Sequence, residues 1–382
     1  MQDTVTIETS SPVSRLLPLA IRGLTSMYDE RRGLFCFRLQ KTRSGVALEG
    51  ISHRYTMMSL LGLIRARSAG LPCPIDVEAS VERLLSDTNW VSSIGDLGLL
   101  LWLCSDSSEK HLTEVQRKFD LVGALESYPD ARRRLTMELS WFLTGLVQVL
   151  QKAGDGELRS VAHQTLRLVK ANQGDHGLFG HMAKWHSVAG MVRGQIGSFA
   201  DQVYPILGLA HFAHILGDDE VKSKASQCAK AICARQGPLG QWWWHYDSVT
   251  GKVMQRYPVY SVHQHAMGPM ALIALEELFG EDFRAPINAG LKWINGANEL
   301  GEDLEDTQAG VVWRCIRLPR TASYAASLGG LLGSERKPGR LHTLYECRPY
   351  ELGWLLYAFA RPCPRGAGES SFRRDGSDRA NN

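Results

Sequence analysis

Three segments place a proline beside residues able to move protons or bind anions. They are SFADQVYPILGLA around Pro205, YSVHQHAMGPMAL around Pro269 and YECRPYELGWLL around Pro349. The first carries Asp201 and Tyr204, the second His263 and His265, the third Glu346, Arg348, Tyr350 and Glu351. A fourth segment, GISHRYTMM, supplies His53, Arg54 and Tyr55. Proline suits the first position of a helix, where its missing N–H would have no partner anyway. Each cluster is therefore expected at a helix start, where free N–H groups and the helix dipole also favour anions. The competing reading is that Asp201 and His53 only cap their helices.

Asp201, Glu346 and Glu351 are the candidate catalytic carboxylates, with His265 assisting. Two carboxylates across a cavity serve as general acid and base on a glycosidic bond. A carboxylate or histidine facing a tyrosine serves proton abstraction instead. Arg54, Arg314 and Arg348 would pair with the carboxylate of a uronate sugar or with a phosphate, and Tyr55, Tyr204, Tyr260, Tyr350 and His263 would help to orient it. His263 and His265 are two residues apart, so in an extended loop only one would face the cavity. Aromatic side chains match the apolar faces of sugar rings while offering a polar handle. Trp185 in loop 181–193, and Trp243, Tyr246 and Tyr257 in and after the run Trp242-Trp243-Trp244-His245-Tyr246-Asp247, are the expected binding aromatics.

The hydrophobic spacing that must position these residues is helical almost throughout. Twelve helices are expected, in two alternating classes. Those over 12–28, 76–87, 112–126, 157–171, 219–234 and 284–296 are amphipathic. Those over 54–67, 94–105, 137–152, 203–216, 267–278 and 349–360 are apolar almost all round, and so belong inside. Connections from an apolar to an amphipathic helix are short. The return connections are often long, as at 29–53, 172–197 and 297–346, and long structureless loops are usually functional. Strand-like alternation is confined to connections such as VVWRCIRL. Four long loops repeat a glycine followed by aromatics: YDERRGLFCF, NQGDHGLFGH, RQGPLGQWWWHY and DTQAGVVWRC. The expected fold is all-α, a six-hairpin α/α toroid with its long loops on one rim.

The paired helices and glycine–aromatic loops, over residues 12–360, resemble the α/α toroid superfamily. That group holds terpenoid cyclases, protein prenyltransferases and the six-hairpin sugar hydrolases, lyases and epimerases. The resemblance is architectural, and fold alone does not settle chemistry. It implies a carbohydrate-active enzyme working on an oligosaccharide or uronate-containing glycan by hydrolysis, elimination or epimerisation. One alternative is a terpenoid cyclase, because DLEDT at 303–307 resembles the DxDD acid motif with Glu305 in its third position and Asp306 in its fourth. A second alternative is a toroid that binds glycans without turnover. The prenyltransferase zinc site would need Asp201, Cys347 and His263 or His265, and nothing in their spacing argues for it; no metal or cofactor is expected.

Composition sets the outer bounds. The 382 residues include 43 Lys and Arg against 40 Asp and Glu, a net charge of +3, and no basic stripe marks a nucleic-acid surface. Eight scattered cysteines without CxxC spacing read as reduced thiols. The polar, acidic start is no secretory signal, and no apolar run approaches 18 residues. These features point to a cytoplasmic protein without a transmembrane segment. Disordered ends are expected at 1–11 and 363–382 around one toroid domain at 12–362. GxSxG, GxxxxGK[ST], GxGxxG after a strand and HExxH are all missing.

Overall fold

The computed structural model describes residues 12–152, 154–183, 194–319 and 340–361, so the expected disordered ends lie outside the described residues. The helices are α1 (Pro12–Met27), α2 (His53–Ser68), α3 (Val77–Ser86), α4 (Ile94–Ser107), α5 (Glu109–Lys118), α6 (Ala124–Ser127), α7 (Pro129–Arg132), α8 (Thr136–Lys152), α9 (Gly156–Lys170), α10 (Ala200–Leu216), α11 (Asp219–Cys233), α12 (Gly268–Phe279), α13 (Arg284–Ile294) and α14 (Pro349–Phe359). The six apolar helices α2, α4, α8, α10, α12 and α14 touch in that order, and α14 closes back on α2. The six amphipathic helices α1, α3, α5, α9, α11 and α13 surround them.

Local chemistry sets the helix limits. Ser52, Asp76, Ser93, Ser108, Asp155 and Asp218 cap α2, α3, α4, α5, α9 and α11, each accepting a backbone N–H from the first turn. Gly217 and Gly280 end α10 and α12 in the left-handed conformation, which turns the chain into the next outer helix. The inner helices approach closely through small residues. A Cβ on Gly62 of α2 would stand 2.8 Å from the carbonyl carbon of Gly353 of α14. Gly62→Ala must therefore separate two inner helices, and is expected to cost about 1–3 kcal/mol, lowering Tm by a few degrees in a thermal melt.

Three expectations change. The outer helix expected over 112–126 breaks at Lys118, and the chain continues as the single turns α6 and α7. Pro205 does not start its helix: α10 begins at Ala200, and the proline lies inside it. Pro269 is the second residue of α12, but a π-helical turn, His263–Met267, already precedes it. Of the three prolines only Pro349 opens its helix.

The long loops carry more structure than their sequences suggest. Their strands are β1 (Tyr28–Asp29), β2 (Leu34–Phe35), β3 (Arg38–Thr42), β4 (Gly45–Glu49), β5 (Ile196–Ser198), β6 (His245–Asp247), β7 (Val253–Gln255), β8 (Val259–Tyr260), β9 (Glu305–Asp306), β10 (Val311–Val312), β11 (Cys315–Arg317), β12 (His342–Leu344) and β13 (Glu346–Cys347). Three antiparallel sheets tie neighbouring loops together, ordered β13-β3-β4, β5-β6-β7 and β12-β11-β8. The glycine–aromatic repeat is real in three dimensions. Gly33, Gly177, Gly240 and Gly310 all take φ between +66° and +89°, and Phe35, Phe179, Trp242 and Trp313 after them are buried. Side chains from the next inner helix or its π turn hold the backbones of three: Thr56 bonds Phe35, Gln202 bonds Phe179 and Gln264 bonds Trp242.

Candidate active site at the inner-helix starts

Every inner helix begins on the loop-bearing rim, so the six first turns form a ring. Two of the ring's carboxylates meet on one guanidinium. Arg54 of α2 places Nε 2.8 Å from Asp96 of α4 and Nη1 3.5 Å from Glu138 of α8. Ser93 donates to Glu138 Oε2 at 3.3 Å, and the Arg54 guanidinium lies 5.1 Å from the centre of the Trp141 ring. Burial, opposed by Arg54, pushes the Glu138 carboxyl up to about 7, so it holds a proton near neutrality. Neither Asp96 nor Glu138 was among the expected acids. The pattern Ser93-Ile-Gly-Asp96, a capping-box spacing before an apolar run, was the available signal.

On the other flank of α2, where α14 closes the ring, lies an arginine–carboxylate network. Glu346 accepts from Arg348 Nε at 2.8 Å and from Arg38 Nη1 at 3.1 Å, and stands 3.6 Å from Arg314. Against the pull of burial, those cations hold its carboxyl below the usual range. Glu351, with no exposed surface, is paired to Arg314 Nη1, and burial raises its carboxyl to about 7. Arg348 also donates to the Tyr55 hydroxyl at 2.7 Å. The Tyr55 ring lies 4.7 Å from Tyr350 and is stacked on exposed Phe37 at 5.5 Å. Arg314 lies over Tyr260, 5.1 Å from its centre. Phe37 and Arg38 belong to the β3 region, and sequence reading did not single them out.

Asp201 is the second residue of α10 and not its cap; its Oδ2 accepts from Ser198 N–H and Oγ–H and lies 3.1 Å from His181 Nδ1. His53 opens α2 and stacks on Trp90 at 5.0 Å, with Ser52 as the cap. His263 packs between Phe199 and Tyr260, at 4.4 and 5.3 Å, whereas His265 is wholly enclosed. Burial takes both imidazoles down to about 3. Tyr204 receives the Trp354 Nε1–H at 2.9 Å and meets Trp141 edge-on, helping to fill the barrel axis below the ring.

The remaining aromatics sit elsewhere. Tyr246 is fully buried, its hydroxyl taking the Trp243 N–H at 3.0 Å. Tyr257 donates to Glu299 at 3.1 Å, and Glu299 also binds Trp293 of the outer helix α13. Trp243 packs on Tyr257, so this trio is drawn toward α13, and Trp244 is the tryptophan that meets Tyr260, at 5.6 Å. Trp185 lies outside the described residues, with its neighbours 184–193. In DLEDT, Asp306 Oδ1 accepts the Ala309 N–H at 2.9 Å, and Glu305 pairs with Arg15 of α1 and Asn295, so the segment closes a turn against outer helices.

No protein-family model matches the chain, and no curated protein sequence matches it. Solved structures do. An unsaturated glucuronyl hydrolase specific for heparin superposes with a TM-score of 0.59 at 12% identity, covering 91% of this chain and 94% of that one. A glycosyl hydrolase of family 88 from Bacteroides vulgatus gives 0.58 at 12%, covering 91% and 98%. A polysaccharide lyase gives 0.54 at 12%, covering 92% and 97%. The fold is the six-hairpin α/α toroid. In this toroid the ring of first turns occupies one mouth, and among the described residues no helix is long and apolar enough to cross a membrane.

Proposed function

We propose that the protein is a carbohydrate-active enzyme that cleaves an acidic oligosaccharide by acid/base chemistry at the ring. Glu138 is the proton donor, Asp96 its anionic partner, and Arg54 holds both in place. The carrying observation is that two carboxylates on adjacent inner helices share one guanidinium while one of them retains its proton to about 7. Arg38 and Arg348 keep part of their side chains exposed beside Phe37, so an anionic sugar finds cations and an aromatic face together. The names of the similar structures, a glucuronyl hydrolase and a polysaccharide lyase, support the same class of ligand.

Thermal shift against paired panels of acidic and neutral oligosaccharides tests this reading. An acidic fragment at 100 times its Kd stabilises the fold by about 2.7 kcal/mol, a rise of a few degrees. Arg348→Ala is expected to abolish most of that rise. Equal responses to neutral glycans, or a response to prenyl diphosphates alone, would overturn it.

A further inference from the structure

A run of cations on the rim takes no part in the pairs described so far. Arg132, Arg133 and Arg134 follow one another at the end of the single turn α7 and in its link to α8. Arg132 and Arg133 are exposed and Arg134 is half-buried, and among the described residues no carboxylate pairs with any of them. The acid nearest in sequence, Asp130, is already engaged, its carboxylate accepting the Ile94 N–H at 3.0 Å. That bond seats α7 on the first turn of α4, the helix that supplies Asp96.

The arginine turn holds an unfavourable backbone. Arg134 has a φ of 56°, and it is the one non-glycine residue with positive φ among the described residues. A β-carbon makes that conformation costly, whereas glycine would take it freely. Bonds around the turn keep it there. The Arg134 N–H reaches the Ala131 carbonyl at 2.9 Å. Asn172, itself buried, donates to the Arg134 carbonyl at 2.8 Å and to Thr136 Oγ1 at 2.9 Å. Three adjacent like charges on a fixed turn repel one another, and an anionic ligand relieves that repulsion.

Arg348 immediately precedes α14, and the three arginines stand just before α8. Those two helices are three steps apart in a closed ring of six, and so face each other across the mouth. Inner helices packed about 9 Å apart place them ~18 Å from one another. Arg54 with Asp96 and Glu138 lies on the arc between them. We propose that Arg132, Arg133 and Arg134 form a second anion subsite, so that the enzyme takes a polyuronate chain with acidic sugars on both sides of the Asp96–Glu138 pair. The inference rests on the acid/base reading above and adds the length and charge pattern of its substrate. A single uronate would use the Arg38–Arg348 end alone. Guanidinium forks match carboxylates in bidentate geometry, and cations flanking an acidic pair on both sides steer a polyanion across it.

Titration calorimetry on the full chain carrying Glu138→Gln, which spares the ligand from cleavage, compares two probes. One is an oligouronate of several sugars, and the other a neutral chain of equal length with one terminal uronate. Adding Arg132→Gln with Arg133→Gln is expected to weaken the oligouronate by about 10-fold and the singly charged chain by less than about 2-fold. Arg134→Gly suits the left-handed backbone, so it removes the guanidinium without disturbing the turn, and it too should weaken the oligouronate. Salt should weaken oligouronate binding less steeply in either variant than with all three arginines present. Unchanged affinity in either variant, or equal losses for the two chains, would overturn the subsite and leave the acid/base reading standing. Equal binding of a polyphosphate of the same charge, the mark of an unspecific cationic patch, would do the same. No binding of any acidic glycan would overturn both.

Discussion

Glu138→Gln is expected to slow glycan cleavage by about 10²–10⁴-fold, the usual worth of a general acid. The amide keeps the shape and can still bond Ser93, but it has no proton to give. Room for the side chain comes from Gly95, where a Cβ would overlap Glu138 Oε2. Because burial holds the carboxyl near 7, wild-type turnover should fall as pH rises through that value. Stability moves in a known direction too. The folded carboxyl titrates above its ordinary 4.5, so its contribution is present below that value and is lost as pH rises toward 7. The uncharged glutamine escapes that loss, so above pH 7 the variant should melt no lower than wild type. A rate unchanged by the substitution would remove Glu138 from the mechanism.

Arg314→Met is expected to destabilise the fold by about 3–5 kcal/mol, because it leaves buried Glu351 without its counter-charge. For a chain of this size that lowers Tm by about 5 °C. Glu351 would then take up a proton, so the deficit should grow with pH. Adding Glu351→Gln should recover much of the loss, since a neutral pair no longer strands a charge. Glu346 keeps Arg38 and Arg348 and should be little affected. Equal melting of wild type and Arg314→Met at pH 8 would mean that the pair contributes nothing.

The six hairpins were legible because each inner helix is apolar around its circumference and each outer one only along a stripe. Arg54, Tyr55, Glu346, Arg348 and Tyr350 were legible because polar residues at the start of an apolar helix stand out, whereas Arg314 stands in the strand-like loop between β10 and β11. Asp96 and Glu138 escaped notice for the opposite reason. Each is a single acid before a leucine-rich run, with no proline or aromatic beside it, and only the folded ring shows both reaching for Arg54. Phe37 and Arg38 were hidden because the β3–β4 hairpin pairs with β13, some 300 residues away, as the Arg38–Glu346 contact records. Trp243, Tyr246 and Tyr257 carry the right composition, but Glu299 anchors Tyr257 toward α13, a tertiary preference that no local spacing encodes.

The β13–β3 pairing, with α14 packed on α2, joins the first hairpin of the chain to the last. A linear array of helical hairpins can fold as it is made, each unit docking on the one before it. Here the earliest inner helix waits with one flank uncovered until the final helix has been synthesised. On the ribosome, hairpins can accumulate in order, but Arg348 and Glu351 join Tyr55 and Arg314 only when the last segment emerges. Ring closure is thus a late, long-range event that should dominate the folding time. A chain that stops before β13 and α14 would lack Glu346, Arg348 and Glu351, so the arginine–carboxylate network exists only once that segment has been made.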